Sequence, residues 1–336
     1  MADPNARDLV VVAASAGGVE ALRDLLAALP SDLAAAVLIV LHVPSRGSSA
    51  LAGILDRAGP LKAAVAGDGE PLRHGRVYVA PPDHHLLVQG GAVRLSRGPR
   101  HNGHRPAADP LFLSAALEGG PRTIAVVLSG TLDDGARGCA AVERHHGAVA
   151  VQDPRESAFE GMPRAAIAAT TTAEVMTVRR IAEWIARQSR RTTTPEAPMR
   201  DAEVEREVSL FLVQGTAEPP EGTFSGVSCP ECGGPVYEAS TGSDPRYECR
   251  LGHGWSSESM VAGHSESVER ALWVAILRLE ERLRLLERMI RRALEQGRKY
   301  SSEHMIEEVE QTKEALRTMR TLQSRIGEPG GDVVLP

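Results

Sequence analysis

Two groups of residues in this sequence have types and spacing that could carry chemistry. In the first, Ser15, His42 and one aspartate of the pair Asp133-Asp134 each follow a short apolar run. A serine nucleophile needs a histidine to remove its proton and a carboxylate to orient and stabilise that histidine, so these residue types fit one hydrolytic site. The second group is a cluster of cysteines and a histidine between residues 229 and 253, which are ligands that zinc prefers.

The three apolar runs must be strands if the first group is to assemble. They begin at Leu9, Ala36 and Thr123 and are almost continuously aliphatic, a pattern typical of strands buried on both faces. Open α/β sheets place their ligand chemistry at the carboxyl ends of parallel strands. The sequence therefore predicts that the serine, the histidine and the aspartate meet at one edge of a sheet.

Helices and a hairpin connect these runs. Val19 to Leu29 has apolar residues at helical spacing. Asp109 to Leu117 is predicted as a helix with Asp109 as its cap and Pro110 at its first position. The pair Gly90-Gly91 between two alternating segments predicts a β-hairpin. The resulting fold class is α/β, with a mainly parallel, doubly wound sheet and a short antiparallel hairpin.

Spacing alone leaves alternatives open for each of these residues. Ser15 also fits a helix cap, with Gly17 and Gly18 present for close packing. An Asp-Asp-Gly sequence is commonly a turn, and a histidine after a strand is commonly a structural residue. Several other histidines compete with His42, namely His84, His85, His101, His104, His145 and His146.

Five short motifs decide between these alternatives because, in this order, they resemble the catalytic domain of the CheB-type chemotaxis protein-glutamate methylesterases. The resemblance covers about residues 8 to 185, just over half of the chain. In that family the triad follows the order Ser, His, Asp, whereas α/β-hydrolases use Ser, Asp, His. The motifs are Ala-Ser-Ala-Gly-Gly at 14–18, Leu-His-Val-Pro at 41–44, His-Arg-Pro at 104–106, Leu-Ser-Gly-Thr-Leu-Asp-Asp-Gly-Ala at 128–136 and Phe-Glu-Gly-Met-Pro at 159–163.

The resemblance gives a role to each residue of the first group. It implies that Ser15 is the nucleophile and His42 the base. Asp134 is the implied triad carboxylate because it directly precedes Gly135, while Asp133 stands where the family usually has Asn. The implied reaction is hydrolysis of γ-glutamyl methyl esters on chemoreceptor helices, which releases methanol, with glutamine deamidation as a second activity. No cofactor is expected for this catalysis.

The resemblance also implies an oxyanion and substrate-binding region, made of Ala16, Gly17, Thr131 and Arg105. Two of these residues depart from the family pattern, since Ala16 stands where Thr is usual and Thr131 where Met is usual. Because a backbone N–H survives at residue 16, we expect a changed substrate preference rather than an inactive enzyme. The alternatives are a catalytically weak regulatory or scaffolding protein and an esterase for a different substrate.

Composition argues against several other functions. The 336 residues carry a net charge of −6 and contain no long basic run, which argues against nucleic acid as a partner. The sequence lacks a secretory signal and any apolar run of membrane-spanning length, so we expect a cytoplasmic protein without membrane insertion. Because the first predicted strand begins within ten residues of Met1, we also expect no receiver domain of the kind that commonly precedes this catalytic domain.

The chain is predicted to contain four parts. Residues 1–188 form the CheB-like methylesterase domain. Residues 189–226 form a linker, rich at first in Arg, Thr and Pro, with a short helix at 203–214. Residues 227–260 form a zinc-ribbon-like module, and residues 261–328 form a helical hairpin.

The zinc-ribbon-like module is predicted from the spacing of four ligands. Two residues separate Cys229 from Cys232, sixteen residues precede Cys249, and His253 follows as a Cys-x₃-His pair. A complete set of four ligands predicts a structural zinc ion, since a catalytic zinc needs an open position. The alternative is an accidental group of reduced cysteines. Acidic residues around the cluster favour a protein contact or a structural role over nucleic-acid binding.

The last part of the chain has the pattern of two helices. Gly297 is predicted to end the first helix, and Ser301 is predicted to cap the second. The apolar stripe of the first helix fits three uses: packing within the hairpin, self-association, or docking on the helical bundle of a chemoreceptor. The residues of this stripe are Leu272, Ile276, Leu279, Leu283, Leu286 and Ile290.

Overall fold

The computed structural model describes residues 6–43, 50–192, 201–212, 220, 222–239, 245–296 and 299–326. These residues divide into two compact units, one that ends at Met260 and one that begins at Val261. The first unit holds the predicted catalytic domain and the cysteine cluster, and the second unit is helical.

A parallel sheet carries the three predicted strands at its centre. The strands are β1 (Leu9–Ala14), β2 (Ala36–Leu41), β3 (Lys62–Val65), β4 (Arg76–Val79), β5 (His85–Gln89), β6 (Ala92–Ser96), β7 (Thr123–Val127), β8 (Ala148–Gln152) and β9 (Glu174–Met176). Seven of them form one sheet in the order β3-β4-β2-β1-β7-β8-β9 within the described ranges. Every neighbouring pair in it is parallel. The predicted mainly parallel sheet is therefore confirmed.

Helices cover both faces of this sheet. They are α1 (Gly18–Ala28), α2 (Leu51–Asp56), α3 (Ala108–Gly119), α4 (Ala136–Arg144), α5 (Gly161–Ala169) and α6 (Val178–Gln188). Helices α1, α2 and α6 pack on one apolar cluster, and α3, α4 and α5 pack on a second cluster across the sheet. Because every residue of β1, β2 and β7 is buried, these strands need aliphatic side chains on both faces, which explains their continuous apolar sequence.

The hairpin predicted at Gly90-Gly91 is also confirmed. Strands β5 and β6 are antiparallel and form a separate two-stranded sheet. Gly90 and Gly91 have φ values of 59° and 73°, the left-handed backbone that two-residue hairpin turns require.

The predicted start of α3 is wrong. The helix begins at Ala108, so Asp109 and Pro110 are its second and third residues. Asp109 does not cap the helix because its carboxylate is buried, where it accepts the Gly138 N–H (2.7 Å) and pairs with His101 (3.1 Å). A local capping pattern cannot anticipate partners that come from another helix and another loop.

The chain after the sheet continues to pack against it. Helix α7 (Ala202–Leu212) lies inside the predicted linker, and its Val204 and Phe211 are buried in the same cluster as α3. Residues 222–260, called the ribbon below, contain the cysteine cluster. Its strands form a four-stranded antiparallel sheet: β10 (Thr223–Ser228), β11 (Pro235–Ala239), β12 (Arg246–Cys249) and β13 (Gly254–Trp255).

The second unit is a pair of long helices, α8 (Ser257–Glu295), most of which lies in this unit, and α9 (Lys299–Ile326). An ion pair between Glu280 and Arg320 (2.7 Å) joins them. Ile276 and Leu286 of the predicted apolar stripe are buried, which supports packing within the hairpin. None of the helices in the described ranges is long and apolar enough to cross a membrane.

The predicted cap of the second long helix is wrong. Helix α9 begins at Lys299, so Ser301 lies inside the helix. Lysine is a good helix former, and the helical backbone therefore starts before the serine. The predicted break at Gly297 lies outside the described residues.

Shortening a side chain in the centre of the sheet is expected to destabilise the first unit. Leu38→Ala in β2 removes a fully buried side chain and is expected to lower the free energy of unfolding by about 2–5 kcal/mol. Val65→Ala on the edge strand β3, where the valine is 48% exposed, is the control and is expected to cost less than about 1 kcal/mol. Urea denaturation followed by circular dichroism measures both. Equal losses would contradict this account of the core.

Candidate active site

The ends of three adjacent strands bring the predicted triad together. Strands β2 and β7 both pair with β1, with Ala14 opposite Leu41 and Ala13 opposite Val127. The three strands therefore end almost level with one another. Ser15 directly follows β1 and His42 directly follows β2, while Asp134 lies in the loop after β7.

A tight turn after β1 holds Ser15 at this edge. Ser15 donates its N–H to the Ser129 carbonyl (2.9 Å), and its own carbonyl accepts the Gly18 N–H (2.9 Å). Gly17 is the N-cap of α1 with φ of 69°, a left-handed backbone that favours glycine, and no side chain caps this helix. Ser15 is therefore not a helix cap, and its hydroxyl pairs with His42 instead.

His42 lies between the serine and the aspartate. Its Nδ1 is 3.1 Å from Ser15 Oγ, and its Nε2 is 2.7 Å from Asp134 Oδ2. An ionised carboxylate only accepts hydrogen bonds, so Nε2 carries the proton and Nδ1 is the basic nitrogen that faces the serine. The two nitrogens are used in the opposite sense in the chymotrypsin triad, where Nε2 faces the serine.

Asp134 is buried and held by the first turn of α3. Its carboxylate accepts the N–H groups of Ala108 (2.6 Å) and Asp109 (3.3 Å) as well as His42 Nε2. Burial alone would raise the pKa of Asp134, but the hydrogen bond and charge of His42, together with the other donors, outweigh it and hold this pKa well below its ordinary value. Asp134 is therefore ionised and can stabilise a charged His42.

A second histidine supports the ring of His42. The His104 ring stacks on it with centroids 3.8 Å apart and an angle of 10° between the planes. Burial, together with the nearby His42, lowers the pKa of His104 to about 4. His104 is therefore neutral near pH 7 and would not repel a positive charge on His42. The sequence motif contained His104, but its spacing gave no sign of this stacking.

A buried His101–Asp109 pair lies behind the triad. His101 Nε2 is 3.1 Å from Asp109 Oδ2, and the ligand-type atoms of His101, Asp109 and Asp134 lie within 4.8 Å of one another. Both carboxylates already accept protein N–H groups, so the arrangement is a hydrogen-bond network. Burial opposes a charge on His101, but the hydrogen bond to Asp109 raises its pKa above the ordinary value. Sequence reasoning counted His101 only as a competitor and missed this pair.

Two peptide N–H groups beside the serine are available for a developing negative charge. Those of Ala16 and Gly17 donate to no acceptor in the described part of the chain, and they precede the first turn of α1, whose N-terminus favours an anion. The Ala16 carbonyl accepts a hydrogen bond from the Ser129 hydroxyl (2.8 Å), which fixes the peptide group between Ala16 and Gly17. Free N–H groups beside a serine are the donors that an oxyanion site requires, and this role of Ala16 and Gly17 stays a prediction.

The other two predicted residues of the oxyanion and substrate-binding region differ in their surroundings. Thr131 is exposed in the loop after β7. Arg105 is half-buried, and two of its N–H groups donate to Asp83 Oδ1 (3.0 and 2.7 Å). It also donates to the carbonyls of Arg97 and Gly98. The guanidinium of Arg105 thus braces its own loop, and its part in substrate binding stays a prediction.

The predicted metal ligands also come together, away from the triad. The ligand atoms of Cys229, Cys232, Cys249 and His253 lie within 4.8 Å of one another in the ribbon. No disulfide joins cysteines of the described residues.

The lowered pKa of His104 predicts a stability that falls in acid. In the unfolded chain His104 binds a proton near pH 6.5, whereas in the folded chain it binds one only near pH 4. The free energy of unfolding therefore falls as the pH is lowered from about 6.5 to about 4. His104→Phe keeps an aromatic ring beside His42 and removes the titration. We expect the slope of unfolding free energy against pH to flatten by up to about 1.4 kcal/mol per pH unit.

Urea denaturation at pH 7, 5.5 and 4.5 measures this slope. His146→Asn is the matched control, because His146 is exposed and asparagine tolerates its left-handed backbone, with φ of 62°. The control is expected to keep the parent slope. A His104→Phe slope identical to the parent slope would show that His104 does not titrate abnormally.

Comparison with known proteins places this arrangement in a family. The chain is 41% identical over 181 residues to "Protein-glutamate methylesterase/protein-glutamine glutaminase 1" of Anaeromyxobacter dehalogenans, covering 53% of this chain and 52% of that protein. It is 36% identical over 186 residues to the protein-glutamate methylesterase/protein-glutamine glutaminase of Pyrococcus abyssi, covering 54% and 50%. The chain thus spans about half the length of these curated relatives.

A solved structure and a family model agree with these relatives. The crystal structure of the Thermotoga maritima CheB methylesterase catalytic domain is similar with a TM-score of 0.51 and 33% identity, over 54% of this chain and 97% of that chain. The model of the CheB methylesterase family matches residues 10–185, which include Ser15, His42 and Asp134. The chain therefore belongs to the CheB methylesterase family.

Proposed function

We propose that this chain is a protein-glutamate methylesterase that hydrolyses γ-glutamyl methyl esters on chemoreceptor helices through Ser15, His42 and Asp134. The observation that carries the proposal is the continuous line of hydrogen bonds from Ser15 Oγ through His42 to the buried Asp134. The names of the relatives support the choice of substrate, since they describe protein-glutamate methylesterases.

The first half of the reaction is acylation of the serine. His42 Nδ1 accepts the Ser15 proton as Oγ attacks the ester carbonyl, and the ionised Asp134 stabilises the imidazolium that forms. The N–H groups of Ala16 and Gly17 donate to the oxyanion, where one such donor contributes about 10² to 10³ in rate. His42 then returns the proton to the departing methoxide, so methanol leaves and an acyl-enzyme remains.

The second half is hydrolysis of that acyl-enzyme. His42 Nδ1 removes a proton from water as the water attacks the acyl carbonyl. When the oxyanion collapses, His42 gives this proton to the departing Ser15 Oγ, and the glutamate side chain leaves as a carboxylic acid that ionises in water. The same steps convert glutamine to glutamate when ammonia is the leaving group. The name protein-glutamine glutaminase of the relatives supports this second activity.

The departures from the family pattern bear on substrate choice. Ala16 contributes its N–H whatever its side chain, whereas the smaller side chain at residue 16 and Thr131 change the surface that a substrate meets. Phe159 is 46% exposed and lies near Gly17, so it offers an apolar contact beside the serine. We propose a cytoplasmic location, because cysteines grouped at metal-ligand spacing are typical of proteins in reducing compartments.

Replacing the nucleophile is expected to abolish the reaction. Ser15→Ala should lower the rate of methanol release from a methylated chemoreceptor by more than about 10⁴-fold, since no other group takes the place of Oγ. Release is measured by gas chromatography with the full chain. If the parent releases no methanol but cleaves a simple aryl ester through Ser15, the protein is an esterase for another substrate.

The two adjacent aspartates provide a matched pair of variants. Asp134→Asn should lower kcat for methanol release by about 10³ to 10⁴, because it removes the charge that stabilises the His42 imidazolium. Asp133→Asn should change kcat less than about threefold, because Asp133 accepts the Ser259 hydroxyl (2.9 Å) and an amide oxygen accepts equally well. A larger loss for Asp133→Asn than for Asp134→Asn would reverse the assignment.

A further inference from the structure

The cysteine cluster of the ribbon has the dimensions of a zinc site. In a tetrahedral site with Zn–S of about 2.3 Å and Zn–N of about 2.0 Å, two sulfurs lie about 3.8 Å apart and a sulfur and a nitrogen about 3.5 Å apart. Cys232 Sγ is 3.6 Å from Cys249 Sγ. His253 Nδ1 is 3.7 Å from Cys229 Sγ and 3.4 Å from Cys249 Sγ. These separations fit four ligands around one ion, and they are too long for a disulfide.

Two tight turns present these ligands. In the first, Cys229 N–H donates to the Gly234 carbonyl and Gly233 N–H donates to the Cys229 carbonyl, each at 2.8 Å. In the second, Gly252 N–H donates to the Cys249 carbonyl (2.8 Å) and Cys249 N–H to the His253 carbonyl (3.1 Å). Gly233 and Gly252 have left-handed φ values of 72° and 82°, so each turn depends on its glycine.

The apolar core of the ribbon itself is small, although Arg246 of β12 also forms a buried ion pair with Glu207 of α7. The buried apolar cluster of the ribbon consists of Cys229, Val236, Cys249, Trp255 and Met260. A segment of this size does not bury enough apolar surface to fold by itself, and a structural metal commonly supplies the missing stability.

The ribbon packs directly on the loop that supports the catalytic histidine. Asn102 donates its N–H to the Gly254 carbonyl (2.8 Å), and Asn102 Oδ1 accepts the Ser256 N–H (2.9 Å). Asn102 lies in a turn closed by hydrogen bonds between His101 and His104 (3.1 and 2.9 Å). The Trp255 ring covers this turn at Gly103.

A second contact joins the ribbon to the loop that carries Asp134, and both contacts lie next to residues of the predicted triad. Ser259 donates its hydroxyl to Asp133 (2.9 Å), the neighbour of Asp134. The turn described above carries His104, whose ring stacks on His42. These contacts connect the ribbon to the residues next to His42 and Asp134.

We propose that Cys229, Cys232, Cys249 and His253 bind one Zn²⁺ ion, and that this ion keeps the ribbon seated on the 101–104 turn so that the esterase site is active only in the zinc-bound protein. The effect of the ion on the esterase site rests on the proposed Ser15 mechanism, whereas the binding of zinc does not. The ion takes no part in the reaction and acts on catalysis through the position of His104 and thereby of His42.

Metal content and a pair of His253 variants test the zinc site. The purified full chain is expected to contain about one zinc per chain by inductively coupled plasma mass spectrometry. His253→Ala should lose the metal, whereas His253→Cys replaces one zinc ligand with another and should retain it. Ser228→Ala, at an exposed residue next to Cys229, is the control and should keep zinc. Parent protein without zinc would overturn the proposal.

The rate at which a fluorophosphonate labels Ser15 tests the effect on the active site. In this reaction Ser15 Oγ attacks phosphorus and fluoride leaves, so the rate reports the Ser15-His42 pair without requiring the natural substrate, and Ser15→Ala is the blank. His253→Ala should be labelled at least tenfold more slowly than the parent. His253→Cys and Ser228→Ala should be labelled at the parent rate, and circular dichroism shows whether the sheet of each variant is folded.

The outcomes separate this proposal from the proposed function. Zinc in the parent together with equal labelling of His253→Ala would overturn the effect on catalysis. Zinc-dependent labelling in a protein that releases no methanol from a receptor would support this inference and contradict the methylesterase assignment. Slow labelling of both His253 variants, although His253→Cys retains zinc, would show that the histidine itself matters and would overturn the role of the metal.

Discussion

The buried carboxylate of Asp134 is the group on which the active site depends. A carboxylate removed from water is costly unless hydrogen bonds and charge compensate it. Here compensation comes from His42 and from the first turn of α3, through the Ala108 N–H. Leu111 and Phe112 of the same helix are fully buried. The position of the charge, and with it the orientation of His42, is therefore fixed by the packing of α3 on the sheet.

The serine is positioned by a separate set of contacts. Ser129 accepts the Ser15 N–H with its carbonyl, and its hydroxyl donates to the Ala16 carbonyl and accepts the Phe159 N–H. Its own N–H donates to Gln152 at the end of β8. One polar residue thus ties the Ser15 turn to the loop at Phe159 and to the end of β8. Ser15 and Asp134 belong to different hydrogen-bond networks, and His42 contacts both.

The sequence predicted those parts of the site that depend on local pattern. The central strands were predictable because burial on both faces demands aliphatic runs, and the family motifs then selected His42 among many histidines. The edge strands β3 and β9 were missed because they are short and partly exposed, which leaves no such run. The local pattern predicts Asp109 as a cap, but its partners, His101 and Gly138, are distant in sequence and only the fold brings them to it.

The chain beyond the family match is joined to the catalytic part by a buried charge. Glu207 of α7 is 1% exposed and pairs with Arg137 of α4 and Arg246 of β12. Removing one partner of a buried ion pair typically costs about 3–5 kcal/mol, so these three segments cannot separate easily. The predicted linker, which is rich in Thr and Pro, is therefore followed by a helix, α7, that packs into the core of the first unit. This explains why catalytic part, α7 and ribbon form one unit that ends at Met260.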